Sequence, residues 1–277
     1  MSQRTKSPLV RPSCVAGTFY PADVSALRRE LGQLFPTDDT PPESWRAGII
    51  PHAGWTYSGH VAAAVLGQIE ASESIVIFCP KHRPEGAEWA VAPYERWLIP
   101  GGAVEGDREL TRELADSIHG LKVDERPHAA EHAIEVQLPL IAHLWPAARV
   151  VGITIGRADL ESCRHFADDL ALVMRRHEPQ PLLLVSSDMN HFGTDAENRR
   201  LDALAIDALA RLDPELLYTT CRDNRITMCG VLPAVIVLET LRRLGSLNEC
   251  RRVAYATSAD TNGDTSRVVG YAGLLFR

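Results

Sequence analysis

Three histidines stand at the ends of apolar runs. Ile49-Ile50 leads into Pro51-His52, Val76-Ile77-Phe78 into Cys79-Pro80-Lys81-His82, and Leu183-Leu184-Val185 into Ser186-Ser187-Asp188-Met189-Asn190-His191. Imidazole is the commonest metal ligand and a general base near neutral pH. One histidine after a strand is ordinarily a surface or capping residue; three at equivalent strand ends point to a shared rim. A further reactive group, Cys229 in Met228-Cys229-Gly230, precedes a helical run with Pro233 early in it, where a missing N–H costs nothing. The positive end of a helix favours the thiolate, which ligates metals or attacks electrophiles. A buried inert thiol is the plainer alternative.

His52, His82 and Cys229 would supply two imidazoles and a thiolate. That borderline-soft set suits iron(II), copper or zinc and leaves positions open for a small ligand. Asp188 and His191 are expected beside the metal, His191 as a base or orienting group, with helix capping as the alternative for Asp188. Glu131-His132 opens an amphipathic helix and is expected to support the site from behind. Tyr57 brings a phenol to the rim or serves as a turn residue. Cys79 continues an apolar run and is expected to pack against the sheet.

Positioning these groups requires strands that end together. Short β-branched runs alternate with segments of helical period, the pattern of an α/β domain. Strands are expected over residues 47–50, 74–78, 149–155 and 181–185, with helices over 58–69, 107–118, 131–145, 158–176, 196–211 and 231–244. Residues 89–91 and 97–99 read as a short hairpin, and residues 251–257 and 267–276 as a terminal one about the turn-rich 260–264. In open sheets of this class, ligands collect beyond the carboxyl ends of the strands.

With 277 residues and 45% hydrophobic content, the chain can bury a core without disulfides. A net charge of −7 without a basic stripe argues against nucleic acid as a partner. No apolar run approaches the roughly 20 residues of a membrane span. Six cysteines without a CxxC pair read as reduced thiols, which places the chain in the cytoplasm. Residues 1–10 are expected to form a frayed arm and residues 11–277 a single domain.

Several blocks resemble the Memo family, including the bacterial AmmeMemoRadiSam system protein B. These are Ala16-Gly-Thr-Phe-Tyr-Pro21, Pro51-His-Ala-Gly-Trp-Thr-Tyr-Ser-Gly59, Glu131-His132, Ser186-Ser-Asp188 with His191, and Met228-Cys-Gly230. The resemblance implies a LigB-like fold, similar to class III extradiol dioxygenases: a three-layer sandwich about a mostly parallel or mixed sheet. In those enzymes two histidines and a glutamate hold iron(II), and another histidine is the base. On this chain His52 and His82 match the histidine ligands, His191 matches the base, and Cys229 stands in place of the glutamate. Because a thiolate is softer and more readily oxidised than a carboxylate, ring cleavage is not inherited with the fold. Around His82 the sequence Cys79-Pro-Lys-His-Arg83 also departs from the family's glycine-led pattern and adds positive charge through Lys81 and Arg83, suited to an anionic ligand.

The resemblance implies an iron- or copper-dependent redox enzyme or metal-handling protein, with AMMECR-type and radical SAM proteins as partners. A non-enzymatic peptide-binding protein using the same pocket is the alternative. A Cys-His hydrolase, with Cys229 as nucleophile and His191 as base, is a third reading.

Overall fold

The computed structural model describes residues 8–36 and 41–277. Residues 1–7, most of the arm expected at the N-terminus, lie outside them. The described strands are β1 (Val10–Arg11), β2 (Ala47–Ile50), β3 (Ser74–Pro80), β4 (Trp89–Val91), β5 (Arg96–Ile99), β6 (Gly102–Gly106), β7 (Lys122–Val123), β8 (Arg149–Ile155), β9 (Leu182–Ser186), β10 (His191–Gly193), β11 (Cys250–Thr257) and β12 (Val268–Phe276). The helices are α1 (Val24–Leu34), α2 (Trp55–Leu66), α3 (Arg108–Ser117), α4 (Arg126–Ala129), α5 (His132–Glu135), α6 (Leu138–Leu144), α7 (Leu160–Met174), α8 (Asp195–Ala210), α9 (Pro214–Asp223), α10 (Val231–Leu244) and α11 (Ala259–Asn262).

One mixed sheet runs β1-β5-β6-β8-β3-β9-β2-β12-β10, with β11 on β12 and β4 on β8. Its centre is parallel: β8, β3, β9 and β2 all point the same way, so Ile50 lies beside Ser186 and Pro80 beside Ile155 at one edge. Buried on both faces, these strands are continuous apolar runs. Side-chain alternation divides them between two cores. Val76, Phe78, Ile153 and Val185 meet α3, α7, α8, α9 and α10 on one side. Ile75, Ile77, Leu182 and Leu184 meet α1, α2 and α6 on the other. The result is a single α/β domain of three layers.

Differences from the sequence reading have local causes. The helix expected over 131–145 is broken into α5 and α6, because Pro139 has no N–H to offer the Glu135 carbonyl four residues back. α2 starts at Trp55, after Gly54 and three residues earlier than expected, so Tyr57 is helical and not a turn residue. α1, α9, β6 and β10 were not expected at all, and residues 89–91 and 97–99 do not form the expected hairpin: β4 pairs with β7 and β8, and β5 with β1 and β6. Leu9 and Val10, within the expected arm, are hydrogen-bonded or paired to the residues about β5.

Arg11 anchors this beginning. Its guanidinium, 1% exposed, meets Glu135 Oε2 at 2.6 Å and also donates to the carbonyls of His128 and Glu131 at 2.9 and 2.6 Å. Glu135 in turn accepts from the Cys14 and Val15 amides and from the Tyr20 hydroxyl. Removing one member of a buried ion pair strands the other charge, so Arg11→Met is expected to lower stability by about 3–5 kcal/mol. Urea unfolding of the metal-free chain checks this; a loss within experimental error would show that the pair contributes nothing.

Candidate metal centre

At the carboxyl edge of the parallel strands, β2 delivers His52, β3 delivers His82, and the start of α5 delivers His132. One ring nitrogen from each lies within 4.8 Å of one from each of the others. His52 stands edge-on to His82 and His132, at 5.1 and 5.2 Å between ring centres, while His82 and His132 stack at 4.7 Å. The three could hold a metal ion. His132, which sequence reasoning placed in support, has its imidazole inside the group. The missed signal was its position directly after Glu131, which caps a short helix by accepting from the Ala133 amide and so fixes the direction of the next side chain.

The hydrogen bonds behind the rings determine which nitrogens face one another. Ser186 Oγ donates to the Ala133 carbonyl at 2.7 Å, so toward His52 Nδ1, 3.0 Å away, it can only accept. Glu131 Oε1 lies 2.8 Å from His82 Nδ1 and 3.3 Å from His132 Nδ1. Burial alone would push the Glu131 carboxyl up, but the His82 hydrogen bond and neighbouring imidazoles outweigh it and hold it at about 2. An ionised carboxylate accepts only, so His52 and His82 carry their proton on Nδ1 and present a bare Nε2, while the same carboxylate faces His132 Nδ1. Burial is also the main reason why His52 is pushed down to about 3 and His132 to about 4, which keeps both neutral and ready to ligate at pH 7. Supporting carboxylates of this kind fix ring orientation and raise ligand basicity. Glu131→Ala is therefore expected to weaken metal binding roughly 10- to 100-fold, read by competition with a chelator; unchanged affinity would remove Glu131 from this role.

Cys229 also reaches the group. Its Sγ lies 3.3 Å from His52 Nε2 and accepts from the Asp188 amide at 3.2 Å. The loop is pinned by the Gly230 amide, which donates to Ser187 Oγ at 2.8 Å, and a Cβ on Gly230 would strike the Ser187 side chain. Cys229 precedes α10 by one residue beyond its cap. The helix end was expected to favour the thiolate. In the metal-free protein desolvation wins: burial, then the Asp188 charge, push the thiol up to about 12. A bound cation would reverse this balance, since coordination deprotonates a thiol outright.

The other site residues take distinct places. Asp188, 5% exposed, accepts the His52 amide at 2.8 Å through Oδ1, so its carboxylate holds the backbone of His52 and does not cap a helix. His191 stands apart from the three-imidazole group, with Nδ1 at 2.9 Å from the Thr227 carbonyl. Tyr57 lies in the first turn of α2 and packs on the small cluster of Val61, Ala256 and Tyr271. Lys81 spends its ammonium on the Pro84 and Gly86 carbonyls, and Arg83 donates to the Ala130 carbonyl at 3.3 Å. Cys79 is fully buried in the core beneath α2 and α6. Gln137 and Ser186, to which the sequence reading gave no role of their own, hold the base of the site: Gln137 Nε2 donates to the Pro51 carbonyl at 2.8 Å.

Fold and rim together define an α/β protein with a metal-capable imidazole cluster beyond the ends of its parallel strands. The chain matches the family described as Memo-like protein over residues 11–275, and it belongs to that family. It is 35% identical over 268 residues to a MEMO1 family protein of Aquifex aeolicus, covering 96% of this chain and 99% of that one. A similar protein of the same description occurs in Archaeoglobus fulgidus, 35% identical over 264 residues (95% and 98% of the two chains). Another occurs in Ignicoccus hospitalis, 34% identical over 282 residues (97% and 99%).

Proposed function

We propose that this chain is a mononuclear metal protein whose ion is held by His52, His82 and Cys229, with His132 beside them, and that it acts as an iron- or copper-dependent redox protein. One observation carries the reading: three imidazoles, two of them held with Nε2 unprotonated, converge where a thiol already touches one of them. Imidazole and thiolate donors suit iron(II), copper(I) or zinc, and iron(II) is the preferred occupant. Such an ion would supply open coordination positions and, for iron or copper, one-electron chemistry. The chain's own part is to orient the donors through Glu131 and Ser186, and to keep an imidazole, His191, near the carboxylate of Asp188.

Within this reading the ligand is a small molecule or a peptide that arrives at the partly exposed His82 and His132. AMMECR-type and radical SAM proteins are its proposed partners, and the cytoplasm its proposed location. Among the described residues no helix is long and apolar enough to cross a membrane. Peptide binding without catalysis gains little from Lys81, whose charge is turned into its own loop.

Anaerobic purification followed by elemental analysis tests the reading. Stoichiometric iron or copper, lost in Cys229→Ala, is the expected result; a metal-free protein alkylated at Cys229 would favour the hydrolase instead. Loaded with iron(II) and given catechol and oxygen, the protein is expected to form little ring-opened product while Cys229 moves toward sulfenic and sulfinic acid. Many turnovers with Cys229 unmodified would make it an extradiol dioxygenase.

A further inference from the structure

Two segments, residues 187–193 and 224–230, bring Asp188, His191 and Cys229 to the rim, and both contain a large residue in the left-handed region: Phe192 at φ 68° and Arg225 at φ 55°. Bulky side chains at such angles cost of order 1–3 kcal/mol each and persist only where the surroundings over-determine the backbone. The surroundings here converge on one side chain. Asn190, 4% exposed, lies between the loops and uses its amide on both.

Asn190 Oδ1 accepts from the Thr227 amide at 2.9 Å and from the Thr227 hydroxyl at 3.1 Å. The Thr227 amide can only donate, so the orientation of the Asn190 amide is determined by its partner. Nδ2 then donates to Asn198 Oδ1 at 2.7 Å, while Asn198 Nδ2 donates back to the Asn190 carbonyl at 2.7 Å and to Val268 at 2.9 Å. The Asn190 backbone N–H donates to Asp202 Oδ1 at 2.8 Å, and the Tyr255 hydroxyl donates to Asp202 Oδ2 at 2.7 Å. Asn198 and Asp202, both fully buried on α8, thus form a rigid back wall. β12 closes tightly over it, since a Cβ on Gly270 would strike the Asp202 carboxylate.

Thr227 passes this order to the site in two directions. Its hydroxyl accepts the His191 amide at 2.8 Å and its carbonyl accepts His191 Nδ1 at 2.9 Å, so the imidazole keeps its proton on Nδ1 and a free Nε2. Two residues further on is Cys229.

We propose that Asn190 is a positioning residue: its amide clamps the loop of Cys229 to the loop of Asp188 and His191, and so sets both the His191 tautomer and the place of Cys229 beside His52. The Cys229 half rests on the metal reading above; the His191 half does not. A buried amide that served packing alone would affect stability and nothing else.

The test uses the full chain with Asn190→Ala and Asn190→Asp. In metal-free protein, nitrogen NMR of the histidines reads the His191 tautomer; with cobalt(II) added, the thiolate-to-cobalt absorption band and chelator competition read Cys229. Wild type is expected to show a single Nδ1-protonated tautomer for His191. Asn190→Ala is expected to mix tautomers, weaken the band and lower cobalt affinity roughly 10- to 100-fold, the cost of losing an orienting partner. Asn190→Asp retains an acceptor for Thr227 and is expected to keep the tautomer. Should Asn190→Ala fail to fold, Thr227→Val, which preserves volume but removes the hydroxyl link, reads the same tautomer and is expected to mix it. A folded Asn190→Ala protein with lowered melting temperature but unchanged tautomer and band would overturn the proposal. If wild type binds no cobalt, the metal reading fails, and the metal-free tautomer measurement still decides the role of Asn190.

Discussion

Replacing His52 with alanine is expected to cost more metal affinity than any other single change at the rim. His52 is the member that every other donor touches: its ring stands about 5 Å from those of His82 and His132, and its Nε2 is 3.3 Å from Cys229 Sγ. It is also the most rigid, being 2% exposed, with Nδ1 held by Ser186 and its backbone amide by Asp188. Loss of a ligand should exceed the roughly 10- to 100-fold cost of losing a group that only orients one. Cys229→Ala is expected to follow it closely, whereas His191→Ala should retain the metal. His132→Ala discriminates between donor sets: a modest loss supports His52, His82 and Cys229, and a loss equal to that of His52→Ala makes three imidazoles the primary set. Calorimetric titration of each variant with the same ion, in matched buffer, reads the order directly. His52→Ala protein that binds as tightly as wild type would sink the assignment.

The second large effect is on pH. A ligating Cys229 must shed its proton, and burial holds that proton in the metal-free protein with a pKa near 12, so below that value each binding event releases one proton from the thiol. The sign follows from linkage: raising pH removes a competitor of the metal, so affinity rises. The buried imidazoles His52 and His132, pushed down to about 3 and about 4, are already unprotonated and add nothing in this range. Affinity is therefore expected to increase about tenfold for each pH unit between about pH 7.5 and 9, the slope of a single released proton. A set of three imidazoles without the thiol would give a flat profile there. Measuring the slope in wild type and in Cys229→Ala separates the two: a flat wild-type profile would exclude the thiolate from the ligand set, and a slope of one that vanishes in the variant would establish it.

Much of this architecture is legible in residue order. The apolar runs at 47–50, 74–78, 149–155 and 181–185 hold strands because residues buried on both faces need no alternation, and the histidines and cysteine that follow those runs or open a helix are all close to the rim. The Memo-like blocks, likewise, are visible without coordinates. Proline decided one boundary in a way local reasoning could have used, at Pro139, where a missing N–H splits the expected helix and frees Glu131 and His132 to face the site on a short helix of their own.

What residue order does not contain is the set of contacts between positions far apart in the chain. His132 enters the cluster only because Glu131 reaches across 49 residues to the ring and amide of His82. Cys229 meets His52 across 177 residues, and the balance between helix dipole and desolvation at its thiol depends on how completely the neighbouring loops exclude water. Asn190 reads as an ordinary loop residue until Thr227, Asn198 and Asp202 surround it. Periodicity and local propensity are properties of neighbouring residues, so the sequence by itself determined most of the elements about the central sheet and the chemistry they carry. Protonation state, tautomer and ligand convergence depend on burial and on partners from other strands and helices, and these were decided only when the tertiary structure brought them together.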